Sequence, residues 1–189
     1  MTDWVSHPQI CRAAELLAQQ AVVAYPTESV WGLGCDPWSA PAVEKILQLK
    51  KRNVDKGLIL IADCMERFEP FLAGLEEQHL RRFREPTAKP TTWLVPNNGS
   101  APLWITGGRD TLALRVTQHP VAAALCKLVG GPLVSTSANP QGLPAAVSAS
   151  EVASYFGATI DLKVPGSVGS SAKPSEIRYL ISGDVVREG

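Results

Sequence analysis

The sequence runs to 189 residues, 45% hydrophobic and 19% charged, which is enough for one well-packed core and cramped for two full domains. Its 18 basic and 18 acidic side chains give a formal net charge of zero, arguing against wholesale non-specific nucleic-acid binding while leaving room for a local basic patch. Cys11, Cys35, Cys64 and Cys126 are widely spaced with no Cys-x-x-Cys pair, so neither metal-site spacing nor a disulfide framework is visible, and reduced thiols in a cytosolic protein are expected.

In chain order, the first eight residues carry no basic stretch followed by an apolar run and do not read as a signal peptide. Ile10, Ala13, Ala14 and Leu17 recur at helical spacing and predict an amphipathic helix over 8–20. Ala21 to Tyr25 predicts a short buried strand stopped by Pro26. A second helix is predicted over 39–51, with Ser39 as N-cap, Pro41 in the first turn, and Val43, Ile46 and Leu47 facing inward. The next buried strand is GLILIA, 57–62, far short of the ~20 residues a membrane span needs. Asp63 and Glu66 resemble a capping pair opening a helix over 65–72, and a further helix is predicted over 76–83.

Strands are predicted at 92–95, 111–116, 132–136 and 160–164. A helix over 119–129 has Thr117 or His119 as possible caps, and Ser148 with Glu151 opens another. Segments 177–181 and 185–187 flank Ser182-Gly183-Asp184, a hairpin signal. Early alternation of strands and helices followed by late hairpins predicts a single α/β domain over 1–189, with a sheet mixing parallel and antiparallel strands.

Four segments place polar residues at or between strand ends, where open α/β sheets bind ligands. In YPTESVWGLG, 25–34, Thr27 and Glu28 precede two glycines that permit close backbone approach; a turn capped by Thr27 with Glu28 solvated explains it equally well. In KKRNVDK, 50–56, four cations fit either a helix C-terminus complementing its dipole or a phosphate clamp of Lys50, Arg52 and Lys56. PLVSTSANP, 132–140, offers three hydroxyls and a carboxamide, as a polar loop or as an anion-binding concavity. KPSEIR, 173–178, with Arg187 beyond it, is the weakest of the four on chemistry alone. The sequence has no Walker-type phosphate loop, no G-x-G-x-x-G after a strand, no H-E-x-x-H and no G-x-S-x-G elbow, so any ATP site here works without a P-loop.

These segments in this order resemble the YrdC/TsaC family of threonylcarbamoyl-AMP synthases. The resemblance rests on YPTESVWGLGCDP (25–37), LKKRNVDKGLIL (49–60), TLALRVTQHP (111–120), PLVSTSANPQGLP (132–144), KPSEIR (173–178) and the closing VVREG. It implies a YrdC-like fold, a twisted mixed sheet with flanking helices and a concave, positively charged cavity. It also implies condensation of L-threonine, bicarbonate and ATP to threonylcarbamoyl-AMP and pyrophosphate, for N6-threonylcarbamoyladenosine formation in tRNA.

Carried over by motif, Lys50, Arg52, Lys56, Thr111, Ser137, Asn139 and Arg187 would contact ATP, with Lys50 and Arg52 the favoured catalytic pair. Thr27, Arg115, Ser135 and Ser175 would hold threonine, Arg115 suiting its carboxylate. Mg²⁺ is expected on the ATP phosphates rather than in a protein cage, with no protein metal ligands. Implied partners are the downstream threonylcarbamoyl-transfer enzymes, with weak tRNA or RNA contact and no membrane. The competing readings are an RNA-binding or ribosome-maturation module using the same cavity, and a carbamoyl-adenylate-handling domain of HypF type. The chain departs from the family pattern at 87–92, where Thr87-Ala88-Lys89-Pro90 replaces a Trp-Pro-Gly-Pro run, at Asn53, and at Tyr179.

Overall fold

The computed structural model describes residues 2–171 and 173–189. Helix α1 (Pro8–Ala18) starts on His7, whose side chain accepts from the Gln9 amide at 3.2 Å, and it buries Ile10, Ala13 and Leu17. Strands β1 (Val23–Pro26) and β2 (Trp31–Gly34) then form an antiparallel hairpin. The sequence pattern does not predict β2, because two of its four residues are glycine and weaken strand propensity. Packing supplies the reason for Gly34. A Cβ there would meet the Tyr25 ring and the Val134 carbonyl oxygen, each at 2.6 Å.

Helix α2 (Ala40–Lys50) is capped by the Ser39 hydroxyl and ends on left-handed Lys51. A 3₁₀ turn (Val54–Lys56) leads to β3 (Ile59–Ala62). The predicted 65–72 helix is instead a 3₁₀ turn (Met65–Phe68) followed by the single turn α3 (Glu69–Leu72). Cys64 holds the N-cap position without a side-chain bond, while Asp63 accepts from Arg67 Nε at 3.4 Å, so the expected capping pair does not form. Then come α4 (Glu77–Arg84), β4 (Thr91–Pro96), the unpredicted single turn α5 (Leu103–Thr106) and β5 (Thr111–Val116).

Helix α6 (Pro120–Val129) follows, with His119 at its N-cap position but no side-chain cap. Both expected caps have other partners. The Thr117 hydroxyl donates to Glu28 Oε1 at 2.7 Å, and His119 Nε2 lies 3.0 Å from the Ser167 carbonyl oxygen. The chain continues through β6 (Leu133–Ser137), α7 (Ala149–Phe156), β7 (Leu162–Lys163), β8 (Glu176–Tyr179) and β9 (Val185–Arg187). Ser148 and Glu151 form the predicted capping box of α7. The predicted 160–164 strand shortens to the two residues that pair with β1.

The strands join in one mixed sheet of order β7-β1-β2-β6-β3-β5-β4-β8-β9. Neighbours β1–β7, β3–β5 and β4–β8 are parallel and the rest antiparallel. Strand alternation assigns the two faces. Ala24, Leu33, Val134, Leu60, Leu114 and Trp93 share one face and form a core with α2, Phe68, Phe71, Val152 and Phe156. On the opposite face, Val23, Tyr25, Leu133 and Ile61 pack under α1 and α6 with Ile10, Leu17, Val121 and Leu125. These two helices cover only part of that face. The register continues it beyond them through Gly32, Ser137, Ser135, Ile59, Arg115, Thr92 and Arg187.

Candidate functional site

A recess of about 230 Å³ opens over that uncovered row. Arg52, Arg115 and Arg187 contribute guanidinium groups to its lining, and Thr27, Ser135, Ser137 and Ser175 contribute hydroxyls. No carboxylate belongs to the lining among the described residues. Residues far apart in sequence converge here because strands β2, β6, β3 and β5 are neighbours in the sheet while the segments before β8 and within β9 fold over its end.

Arg115 projects from β5 and is 7% exposed. Its Nε is buried without a partner, and among the described residues the side chain donates no hydrogen bond. Its one counter-charge is Glu28, whose Oε2 lies 3.5 Å from Nη2 in an ion pair without hydrogen-bond geometry. Glu28 is fixed from behind by the Thr117 hydroxyl at 2.7 Å and the Gln118 amide at 2.9 Å, both donating to Oε1. Burial raises the Glu28 carboxyl, but Arg115 and these donors outweigh it and hold the group below the ordinary glutamate range. The solvated Glu28 of the turn reading is thus replaced by a buried, ionised one, although Thr27 does close its turn by donating to the Val30 carbonyl at 2.7 Å.

Arg187 donates to the Ser175 carbonyl at 2.6 Å, and the Ser175 hydroxyl shares a 2.9 Å bond with the Thr92 hydroxyl. Burial, and then the like charge of Arg115, lower the Arg187 guanidinium from its usual range. Arg52 donates to the Gly57 carbonyl at 2.9 Å and keeps a buried, unpartnered Nε. Burial and then Arg109 lower its guanidinium in turn. Such clustering of like charges opposes folding and is relieved by a bound anion.

The other expected ligand residues stand outside the lining. Lys50 is 4% exposed and turns its ammonium to the loop after β6, onto the carbonyl oxygens of Ser137 and Asn139. Asn139 faces the same loop, its Nδ2 donating to the Leu143 carbonyl at 2.7 Å. Lys56 is exposed on the 3₁₀ turn, and Thr111 is half-buried at the start of β5, on the Arg115 face of that strand.

Sequence reasoning missed the roles of Thr117 and Gln118, which hold Glu28, whereas Gly32, one of the two glycines noted for close backbone approach, does line the recess. The available signal was the hydroxyl directly after β5, which reads as a helix cap. It also missed the return of 167–171 across the first motif, where Gly169 N donates to Thr27 O at 2.9 Å and Ser171 N to Glu28 O at 3.1 Å. The departures at 87–92 border a second cavity of about 760 Å³, which Thr87, Lys89 and Glu28 help to line. Among the described residues no group of three or more His, Cys, Asp or Glu side chains is placed to hold a metal ion.

The sequence profile described as Sua5_yciO_yrdC, telomere recombination, matches residues 15–189. The chain belongs to the Sua5/YciO/YrdC family. A family member of Cellvibrio japonicus (strain Ueda107), named threonylcarbamoyl-AMP synthase, is 51% identical over 187 residues, covering 99% of each chain. The crystal structure of P. abyssi Sua5 complexed with L-threonine superposes with a TM-score of 0.83 at 31% identity. That match covers 90% of this chain and 50% of the Sua5 chain, so this chain spans half the Sua5 length. E. coli YciO matches with a TM-score of 0.82 at 25% identity, over 95% of this chain and 88% of YciO. The expected fold, a mixed sheet with flanking helices of the YrdC type, is the one observed.

Proposed function

We propose that this chain is a threonylcarbamoyl-AMP synthase, a nucleotidyltransferase that condenses L-threonine, bicarbonate and ATP into threonylcarbamoyl-AMP and pyrophosphate for tRNA modification. The observation that carries the reading is Arg115, a buried guanidinium whose donors are free in a recess edged by hydroxyls. A planar fork of donors at a buried position suits a carboxylate, which it engages through two parallel bonds. Threonine then lies between Thr27, Ser135 and Ser175, with its carboxylate on Arg115.

Arg52, Ser137 and Arg187 line the side assigned to ATP, together with Lys50, Lys56, Thr111 and Asn139 around it. A recess of about 230 Å³ is smaller than a typical nucleotide pocket, so the nucleotide extends from its mouth toward Lys56 and Thr111, with Lys50 and Asn139 behind its wall. Magnesium enters as the MgATP substrate, since the lining contains guanidiniums and hydroxyls rather than carboxylates.

The threonine amine and bicarbonate first give a carbamate and water. A carbamate oxygen then attacks the α-phosphorus, and the bond to pyrophosphate breaks. No side chain forms a covalent bond. The protein contributes by bringing two anionic reactants together and by placing fixed positive charge where the leaving pyrophosphate gathers negative charge. We read the chain as one domain working in the cytoplasm, in keeping with four free cysteines, and passing its labile adenylate to a threonylcarbamoyl-transfer enzyme. The RNA-module alternative fits less well, because the free guanidinium donors point into a small recess rather than across a surface.

Purified protein given MgATP, bicarbonate and L-threonine is expected to release pyrophosphate only when all three are present. Release that ignores threonine would refute the assignment.

A further inference from the structure

Lys50 is the least exposed lysine or arginine of the cation-rich segment and has the most partners. Its ammonium meets three acceptors: the Ser137 carbonyl, the Asn139 carbonyl at 2.8 Å and Asn139 Oδ1 at 3.3 Å. An ammonium has three N–H donors, so none remains for a ligand. The backbone of the same residue closes the loop from the other side, the Gln141 amide donating to Lys50 O at 2.8 Å. Asn139 is committed in the same way. Its Oδ1 accepts from the Ser137 hydroxyl at 2.6 Å, and its Nδ2 donates to Leu143 O at 2.7 Å. Helix α2 and the loop leaving β6 are thereby locked together, with Ser137 at the edge of the recess.

We infer that Lys50 and Asn139 are positioning residues, which fix the backbone of 137–141 at the wall of the anion recess and do not themselves touch phosphate. Among the described residues the Asn139 carbonyl oxygen has no donor but Lys50, while the Ser137 carbonyl oxygen also accepts from the Asn139 amide at 3.0 Å, and a buried acceptor left unmatched is costly. A lysine arriving from the end of α2 supplies several donors at once. The phosphate side of the recess is then left to Arg52 and Arg187, which do line it.

The inference rests on the nucleotide reading for one of its two tests only. In the unliganded protein, Lys50→Met is expected to speed hydrogen exchange at the Gln141 amide at least tenfold, as read by NMR. Calorimetry is expected to give the same fold-loss of affinity for AMP and for ATP. A direct phosphate contact predicts the reverse: unchanged protection at Gln141 and a loss that grows with the number of phosphates. Either result overturns the inference. Should wild-type protein bind neither nucleotide, the functional reading fails while the exchange measurement still decides this one. If Lys50→Met does not fold, Asn139→Ala serves in its place. Equal losses for AMP and ATP with faster exchange at 137–141 support positioning, and unchanged exchange refutes it.

Discussion

Arg115 and Lys50 are both nearly inaccessible, 7% and 4% exposed, yet their surroundings differ in kind. Lys50 has a protein oxygen for each of its N–H groups, whereas Arg115 has an ion pair with Glu28 and no hydrogen bond. A buried charge is costly unless paired and hydrogen-bonded. The fold gives Lys50 a full set of hydrogen-bond acceptors and gives Arg115 none, and the side chain without them is the one in the recess. On the reading proposed above, unfinished hydrogen bonding, more than burial or charge, separates a ligand group from a brace.

This contrast breaks most readily at Arg115. Arg115→Met is expected to raise the KM for threonine about 100-fold, roughly 3 kcal/mol, while the KM for ATP changes far less. It also leaves Glu28 buried without its counter-charge, so the melting temperature falls. Adding Glu28→Gln is expected to restore the melting temperature without restoring threonine binding. Equal loss for both substrates would show that Arg115 is a brace after all.

Lys50→Met tests the other half. Orphaning the Asn139 carbonyl oxygen, and taking one of its two donors from the Ser137 carbonyl oxygen, is expected to cost about 1–3 kcal/mol of stability, measured by denaturant titration. Affinity for threonine should be nearly retained, reversing the pattern of Arg115→Met. A variant as stable as wild type would remove Lys50 from the scaffold.

A smaller effect is expected at Gly32. A methyl group there would meet Ser135 Oγ at 3.4 Å and Thr27 Cγ2 at 3.5 Å, ordinary contact distances, so the fold tolerates it. It would nonetheless narrow the recess between those two residues. Gly32→Ala is expected to raise the threonine KM about tenfold, roughly 1.4 kcal/mol, at a nearly unchanged melting temperature.

The subtlest test is pH. Burial, and then the like charge of Arg52, push the Lys50 ammonium from 10.5 down to about 8, against the pull of the oxygens around it. Between those values the unfolded chain holds a proton that the folded chain has released, so stability contributed at this site rises as pH increases from about 8 to 10.5. The stability difference between wild type and Lys50→Met should therefore widen over that interval. A flat difference would mean that Lys50 titrates as it does in the unfolded chain.

The sequence made some of this plain and hid the rest for physical reasons. Ser39 and the Ser148–Glu151 box announce their helices because capping is a local interaction. GLILIA reads as a strand because its apolar run is continuous. Strand β2 escapes notice because its glycines answer to Tyr25 and Val134, contacts that no local pattern encodes. The hydroxyls and guanidiniums of the recess belong to motifs that can be recognised from the sequence. Which cations line the recess and which are committed to backbone oxygens cannot be read there, since Lys50 and Arg52 stand only two positions apart, one bonded to the loop after β6 and the other in the lining. The Glu28 clamp is hidden likewise, for Thr117 and Gln118 reach it from 89 and 90 residues away.

The return of 167–171 across Thr27 and Glu28 bears on how the protein is made. The recess needs Thr27 from the start of the sheet and Ser175 and Arg187 from beyond the last long helix. A chain emerging from the ribosome can assemble the β1–β2 hairpin early, yet the lining of the recess is incomplete until Arg187 is free to reach Ser175. Arg187 is the last of the three guanidiniums in chain order, and its place at the recess depends on β9 pairing with β8.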